Sequence, residues 1–413
     1  MSTITVRPLR EEEIPAAVEV SCAAFGERPT QEEREIYQHS FDVERSLCAF
    51  DADTMVGTSL ALSLELTLPG PGVLPVGGLT WVAVLPTQRR RGILRQLVAG
   101  QFEDMVRRGE PASALIASEG NIYSRFGYGP ATSAVSFSVE RAQAAFIRPV
   151  RAEGRIVLLT DEEAAAELPA IYERIRRLQP GRVTRSDRWW TEYLFDPQEQ
   201  REGGGGMFHA KYATSPGVAD GYVTYRFKEE TLGWTSRTTL LVVELLAADP
   251  GVYSALWDYV LNTDLVHTVS FSRGRVDEPL RWLLADPRAL TVSAMGDDLW
   301  IRLLDIPRAL HARTYGAAGD IVFEVDDTFL APNRTTFALR VGQAEIPDIE
   351  CAVTTARAEL ALGTSSLAAA YLGGVSFATL AAAGLVRELR QGSVGRADAM
   401  FSAATAPYCG TIF

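Results

Sequence analysis

The chain has 413 residues, too many for one hydrophobic core, because single cores stop growing at about 250–300 residues, so two or three domains are expected. Apolar residues at 47% and charged residues at 22% are the proportions of a folded globular protein and argue against disorder. A formal net charge of -12 argues against nucleic acid as the main partner, since a phosphate backbone calls for Lys/Arg stripes; it suits a cationic substrate or simple solubility.

Along the chain, Ile4–Pro8 alternates as a short strand, and Arg10–Phe25 carries Ile14, Ala17, Val18, Val20 and Ala24 near helical spacing. Arg28–Tyr37 is a second, charged helical stretch, and Arg45–Asp51 and Thr54–Glu65 read as strands. Pro69–Gly72 is a loop, and the apolar strand Leu79–Val84 runs straight into Leu85–Arg95, whose helix continues to about Arg108. Strands follow at Ala112–Ala117 and Ala134–Val139, with a linker at Pro149–Arg155. A second unit has a strand at Arg155–Leu159 and a helix at Glu162–Leu178. After the loop Arg201–Gly206 come strands near 208–212, 221–227 and 239–246, the helix Gly251–Leu261 and the strand Thr268–Phe271. Its order repeats that of the first unit, so a duplicated fold is expected. Where the first copy has Gln88-Arg-Arg-Arg-Gly92, the second has only Ala248-Asp-Pro-Gly251. A third unit begins near Trp300–Pro307, with strands at 319–325, 335–340 and 359–361 and helices at 366–372 and 377–383.

Cys22, Cys48, Cys351 and Cys409 form no close pair, so neither a zinc site nor a redox couple is indicated; scattered thiols fit a reducing cytoplasm and small buried hydrophobes. His39, His209, His267 and His311 are isolated, and no metal is expected; Trp189-Trp190 and Trp300 read as core or interface anchors. Met1–Arg10 lacks the basic-then-apolar profile of a signal peptide, and no apolar stretch approaches the ~18 residues of a membrane span, so a cytoplasmic protein is expected.

The junction Val82-Ala-Val84 … Gln88-Arg-Arg-Arg-Gly-Ile-Leu-Arg95 carries the most chemistry. A strand that ends in a basic, Gly-containing turn and opens a helix presents free N–H groups and a positive dipole end to phosphate. Taken alone, Arg89-Arg-Arg-Gly92 is also what a surface basic cluster looks like; the strand before it and the helix after it favour a pyrophosphate cradle. In this context the string resembles the acyl-coenzyme A site of the GNAT superfamily, Arg/Gln-x-x-Gly-x-Gly/Ala. Leu94 replaces the usual small residue, a departure shared by the Eis-type branch. The resemblance implies that Val82, Ala83, Val84, Arg90, Arg91, Gly92, Ile93, Leu94 and Arg95 line acetyl-CoA.

Acetylation of an amine by a thioester needs a proton acceptor, donors for the oxyanion and an acid for the leaving thiolate. In Ser118-Glu-Gly-Asn-Ile-Tyr-Ser-Arg-Phe-Gly-Tyr-Gly-Pro130 two tyrosines, Tyr123 and Tyr128, suit the acid role, since a phenol is protonated at neutral pH. The string resembles the Eis-type signature whose first tyrosine is the general acid, which implies Tyr123, with Ser118 and Glu119 as further coenzyme contacts and Phe126-Gly-Tyr128 as structural. Eis-type chains also end in Phe and use its α-carboxylate as general base, which implies that role for Phe413. The helical region from Ala24 to Tyr37 is expected to cover the acceptor site, with Glu27 attracting an amine and Phe25 and Tyr37 as walls. The residue before the terminal Phe is often acidic in the family, whereas here it is Ile412, a departure that counts against polycationic aminoglycosides as good substrates.

The fold class the resemblance implies is α/β with tandem GNAT domains. These are an acetyl-CoA-binding domain at 1–148 and a GNAT-like domain at 149–304 without a competent phosphate loop, followed by a sterol-carrier-like α+β domain at 305–413. It implies an N-acetyltransferase acting by direct attack on a primary amine of aminoglycoside, polyamine or lysine type. It also implies a homo-oligomer, a hexamer in that family. The alternative is a lipid- or partner-binding module built on the last domain, with a vestigial GNAT half.

Overall fold

The computed structural model describes residues 3–150, 153–198, 201, 203–215, 218–232, 235–344 and 348–413; Met1, Ser2, Arg151 and Ala152 of the expected linker, and Glu202 of the glycine loop lie outside the described residues. The chain forms two compact units, residues 1–132 with 298–413, and residues 133–297.

The first unit opens with β1 (Ile4–Pro8) and α1 (Ile14–Phe25), which ends at Gly26 with φ +77°. A capping box opens α2 (Gln31–Ser40): Thr30 Oγ1 accepts from the Glu33 N–H at 3.2 Å and the Glu33 carboxylate accepts from the Thr30 N–H at 2.6 Å. Then β2 (Ser46–Asp51), β3 (Thr54–Thr67) and β4 (Val73–Val84) form an antiparallel meander. The crossover helix α3 (Ile93–Arg107) leads to β5 (Ala112–Ile116), parallel to β4, followed by α4 (Gly120–Tyr123) and β6 (Gly129–Pro130).

The second unit contains β7 (Ser133–Glu140), β8 (Arg155–Leu159), α5 (Asp161–Arg176), α6 (Asp187–Phe195), β9 (Phe208–Ser215), β10 (Val218–Leu232), β11 (Thr235–Ala247), α7 (Pro250–Leu261), β12 (Val266–Arg275), α8 (Leu280–Leu283) and β13 (Leu290–Asp297). From β8 to α8 the order matches β1 to α4 element for element, including α6, which answers to α2. Its core is aromatic: Trp257 of α7 packs on Phe137 and Phe271. Trp190 is buried in the same unit, where Arg185 stacks over Trp189 and Tyr172 and bonds Glu244 at 2.7 Å.

The chain returns as β14 (Leu299–Leu303), α9 (Ile306–Ala312), β15 (Gly319–Asp326), β16 (Thr336–Val341), β17 (Ile349–Val353), β18 (Leu360–Gly363), α10 (Thr364–Ala370), α11 (Phe377–Ala382), β19 (Val386–Glu388) and α12 (Ser393–Phe401). Three mixed sheets result, ordered β1-β2-β3-β4-β5-β14-β6, β13-β7-β12-β11-β10-β9-β8 and β17-β16-β15-β18-β19.

Residues 133–140 fold with residues 141–297, and residues 298–304 fold with residues 1–132. β7 alternates buried Val135, Phe137 and Val139 into the second core and pairs β12 and β13. β14, buried at every residue, lies between β5 and β6 with Trp300 opposite Leu115. A fully buried strand needs partners on both edges, and β5 and β6 supply them. Residues 298–413 are bound to the first sheet by a buried ion pair, Arg302 to Asp327 at 2.5 Å, and by Asn333, whose amide donates to the Leu303 and Leu304 carbonyls. No helix among the described residues is long and apolar enough to cross a membrane.

An ill-matched group lies in the second unit. Glu278 is buried beside α8, its Oε1 has no hydrogen-bond partner among the described residues, and burial pushes its carboxyl up to about 7. A carboxyl raised in the folded state stabilises fully below its unfolded value near 4.5, and that contribution is lost as pH rises through about 7. Stability should therefore fall by roughly 3 kcal/mol between pH 5 and 8.5, and Glu278→Gln should flatten the fall. Urea unfolding followed at several pH values checks this; equal pH slopes in the two proteins would refute it.

Candidate active site

The site starts from a defect in β4. Its register with β3 slips between Thr58 and Leu60, so that Thr58 faces Ala83 and Leu60 faces Thr80, leaving Trp81 and Val82 opposite Ser59. This is a β-bulge, and Trp81 takes φ +49°, a strained value for a residue with a side chain. Thr58 Oγ1 donates to the Trp81 carbonyl at 2.8 Å and accepts from Ser21 Oγ of α1 at 2.9 Å, both residues being fully buried. The Trp81 ring packs on Tyr37 and Phe41, with centroids at 5.4 and 5.0 Å.

The bulge turns β4 away from β5. The two pair only at Val76–Ala112, Gly77–Ser113 and Gly78–Ala114, whereas β5 stays paired to β14 as far as Ile116. From Leu79 to Val84 the edge of β4 facing β5 has no strand partner, and the two strands make an open fork. Val82, Ala83 and Val84, the residues expected to run beside a pantetheine, lie on that free stretch.

At the mouth of the fork, Arg90 has φ +64° and Gly92, with φ +78°, is the N-cap of α3. No side chain caps this helix, and a Cβ on Gly92 would meet nothing within 4 Å. The first-turn N–H groups, from Ile93, Leu94 and Arg95, thus have no side-chain cap. The equivalent junction of the second unit is closed: the Asp249 carboxylate accepts from the Gly251 and Val252 N–H groups at 2.7 and 3.0 Å, and Pro250 lacks a donor. Among the arginines, Arg90 is exposed, Arg91 is held by Asp51 at 2.6 Å and by Gln88, and Arg95 lies 4.7 Å over the Phe329 ring. Arg91 and Arg95 therefore offer backbone and field to an anion while their side chains are partly engaged elsewhere.

The two tyrosines separate clearly. Tyr128 is fully buried; its hydroxyl donates to Ser113 Oγ at 2.7 Å, and Ser113 donates to the Gly77 carbonyl at 2.9 Å. Tyr123, on α4, packs edge-on against Tyr128 in one apolar cluster with Val82 and Leu94. Its hydroxyl has no partner among the described residues, and burial alone pushes it up to about 12. Phe126 is buried against Phe329, while Ser118 and Glu119 are exposed at the start of α4.

Phe413 reaches the base of the fork. Its ring lies so close to Gly78 that a Cβ there would sit 3.1 Å from Cε2. Phe25 and Glu27 are exposed around the end of α1, the Glu27 N–H donating to the Cys22 carbonyl, whereas Tyr37 is buried against Trp81. Arg89 donates to the Ala24 carbonyl at 3.4 Å, tying this helix end to the basic turn. Thiol nucleophiles are disfavoured by burial, which pushes Cys22 up to about 11 and Cys48 to about 12.

Trp81, Thr58, Ser21 and Gly78 were not singled out in the sequence. The one available signal was Gly77-Gly78 inside an apolar run, since a strand glycine marks a close approach; Met105 and Phe413 are what approach.

Family models for an acetyltransferase (GNAT) domain match residues 5–131 and 181–303, and one for a sterol carrier protein domain matches residues 306–410. An uncharacterized N-acetyltransferase of Streptomyces avermitilis is 34% identical over 408 residues, 98% of each chain. N-acetyltransferase Eis of Mycobacterium tuberculosis is 36% identical over 355 residues, 84% of this chain and 83% of that one. The crystal structure of Eis1 from Mycobacterium abscessus superposes with a TM-score of 0.88 at 34% identity, covering 100% of both chains. With two GNAT domains followed by a sterol-carrier-type domain, this chain is a member of the Eis family of GNAT N-acetyltransferases.

Proposed function

We propose that the chain transfers the acetyl group of acetyl-CoA directly to a primary amine at the fork between β4 and β5. The observation that carries the reading is the end of strand pairing at Gly78–Ala114, with the uncapped helix α3 at one end and Tyr123 and Phe413 beside it. Acetyl-CoA fits as substrate: its diphosphate meets the N–H groups of Gly92–Arg95 and the charges of Arg90 and Arg91, and its pantetheine amides run along Val82–Val84. Ser118 and Glu119 flank the coenzyme.

The amine lone pair attacks the thioester carbonyl carbon, and a β4 backbone N–H stabilises the oxyanion. As the tetrahedral intermediate collapses, the C–S bond breaks and the sulfur takes its proton from Tyr123. The ammonium proton leaves through water to the Phe413 carboxylate; a carboxylate with an ordinary pKa near 3.5 is a weak acceptor, so the relay matters. The products are the N-acetyl amine and the free thiol of coenzyme A, with no covalent enzyme intermediate. The buried, protonated thiols of Cys22 and Cys48 support direct attack.

The acceptor is a small-molecule or peptide amine, drawn by Glu27 near Phe25 and Tyr37. Ile412, exposed beside Phe413, favours mono- or diamines and lysine-type amines over aminoglycosides. Family membership also supports a homo-oligomer. The lipid-binding alternative draws less support: the cleft of about 620 Å³ in the C-terminal sheet is lined mainly by charged residues, Asp320, Arg357, Glu359, Arg390 and Arg396, which suit a polar molecule better than an acyl chain.

Mass spectrometry of amines, polyamines and lysine peptides incubated with acetyl-CoA tests the reading; no acetylated product from any class would end it. Tyr123→Phe should lower kcat roughly 100-fold with acetyl-CoA affinity unchanged, and unaltered turnover would refute the acid role. Because Tyr123 loses its proton only near pH 12, the wild-type kcat should show no alkaline fall up to about pH 10. Gly92→Asp, which copies the Asp249 cap, should weaken acetyl-CoA binding at least tenfold by calorimetry; undiminished affinity would exclude the α3 cradle.

A further inference from the structure

A buried carboxylate contacts the segment that carries Phe413. Asp298, 1% exposed, is the first residue of the returning chain. Its Oδ2 accepts from the backbone N–H groups of Cys409 at 3.3 Å and Gly410 at 3.2 Å and from Thr132 Oγ1 at 3.2 Å. Thr132 Oγ1 in turn accepts from the Leu299 N–H at 2.8 Å, which orients its proton toward Asp298. Gly410 takes φ +66°, and a Cβ there would lie 2.5 Å from the Tyr408 hydroxyl, so the turn that presents these two amides accepts no side chain. Beyond it, Thr411 is buried and Phe413 lies on Gly78.

Segments ending in small and apolar residues fray unless something ties them down. Here the tie is charged and buried: a carboxylate taking amide hydrogen bonds is stronger than a neutral acceptor, and removing it takes an acceptor from the Cys409 and Gly410 N–H groups. We propose that Asp298 is a positioning residue for acetyl transfer, which fixes the Cys409–Gly410 turn and thereby sets Phe413 at the base of the fork. The proposal rests on the reading of the Phe413 carboxylate as proton acceptor. Its sequence signature is slight, an acidic residue next to β14.

Two full-length variants, Asp298→Ala and the isosteric Asp298→Asn, and a chain ending at Ile412, alone and with Asp298→Ala, are compared with the wild type. The expected result is a 10- to 100-fold loss of kcat in Asp298→Ala, a smaller loss in Asp298→Asn, and unchanged acetyl-CoA affinity in both. Hydrogen exchange at the Cys409 and Gly410 amides should quicken at least tenfold. In the shortened chain Asp298→Ala should add no further loss, because both changes displace the same group. Wild-type kcat and exchange in Asp298→Ala, while the shortened chain is inactive, would overturn the positioning role alone. A loss from Asp298→Ala that persists undiminished in the shortened chain would also overturn it. Full activity of the shortened chain would overturn both the positioning role and the reading beneath it. Should Asp298→Ala fail to fold, the same comparisons are read from Asp298→Asn.

Discussion

The carbonyl of Trp81 points where an ordinary strand would not send it, and the fork depends on that departure. A non-glycine residue at positive φ costs of the order of 1–3 kcal/mol, so the bulge persists only because its surroundings hold it. The Ser21–Thr58–Trp81 hydrogen-bond chain and the aromatic packing of Tyr37 and Phe41 each contribute on the order of 1 kcal/mol, enough together to offset the strain. Helices α1 and α2 therefore do more than cover the sheet. They hold β4 in the shape that separates it from β5, and the residues proposed to meet the amine lie on these two helices and the turn between them.

The second unit shows how little of this is inherent in the fold. It has the same element order and the same parallel pair, β11 with β12, yet its helix start is capped by Asp249 and its interior is filled by Trp257, Phe137 and Phe271. One carboxylate at an N-cap separates a closed helix start from an uncapped one, and the architecture that frames the two occurs twice in the chain.

Local order was legible in the sequence. Strands β1, β2, β3, β5 and β8 stand within a residue or two of where alternation places them, and the basic turn before α3 is where the composition puts it. What escaped was settled by partners far away in the chain. In sequence the strand at 134–139 closes the first unit and Trp300 opens the third; pairings such as Val139–Leu290 and Leu115–Trp300, each spanning more than a hundred residues, decide their sheets. Strand β4 begins at Val73, ahead of the Leu79 where the sequence places its start, and Gly77-Gly78 within it is where Met105, Leu64 and Phe413 come close. Residue type alone left Tyr123 and Tyr128 open, and their surroundings differ for a tertiary reason: Ser113 takes the hydroxyl of Tyr128, while that of Tyr123 has no partner among the described residues.

The sterol-carrier-type domain takes on a mechanical meaning in this light. Residues 298–413 form one unit with the N-terminal sheet, locked by the Arg302–Asp327 pair, by Asn333 on the β14 end and by α10, whose Ser365 carbonyl would sit 2.0 Å from a Cβ on Gly129. A buried ion pair adds little net stability over an apolar pair of the same volume, but it tolerates no misalignment, so it favours a single docked arrangement. That uniqueness matters because Phe413 lies at the end of a segment running from α12 to Gly78, and an error in docking would be carried along it. Residues 298–413 thus bring Phe413 against the strand that parts from β5 at Gly78.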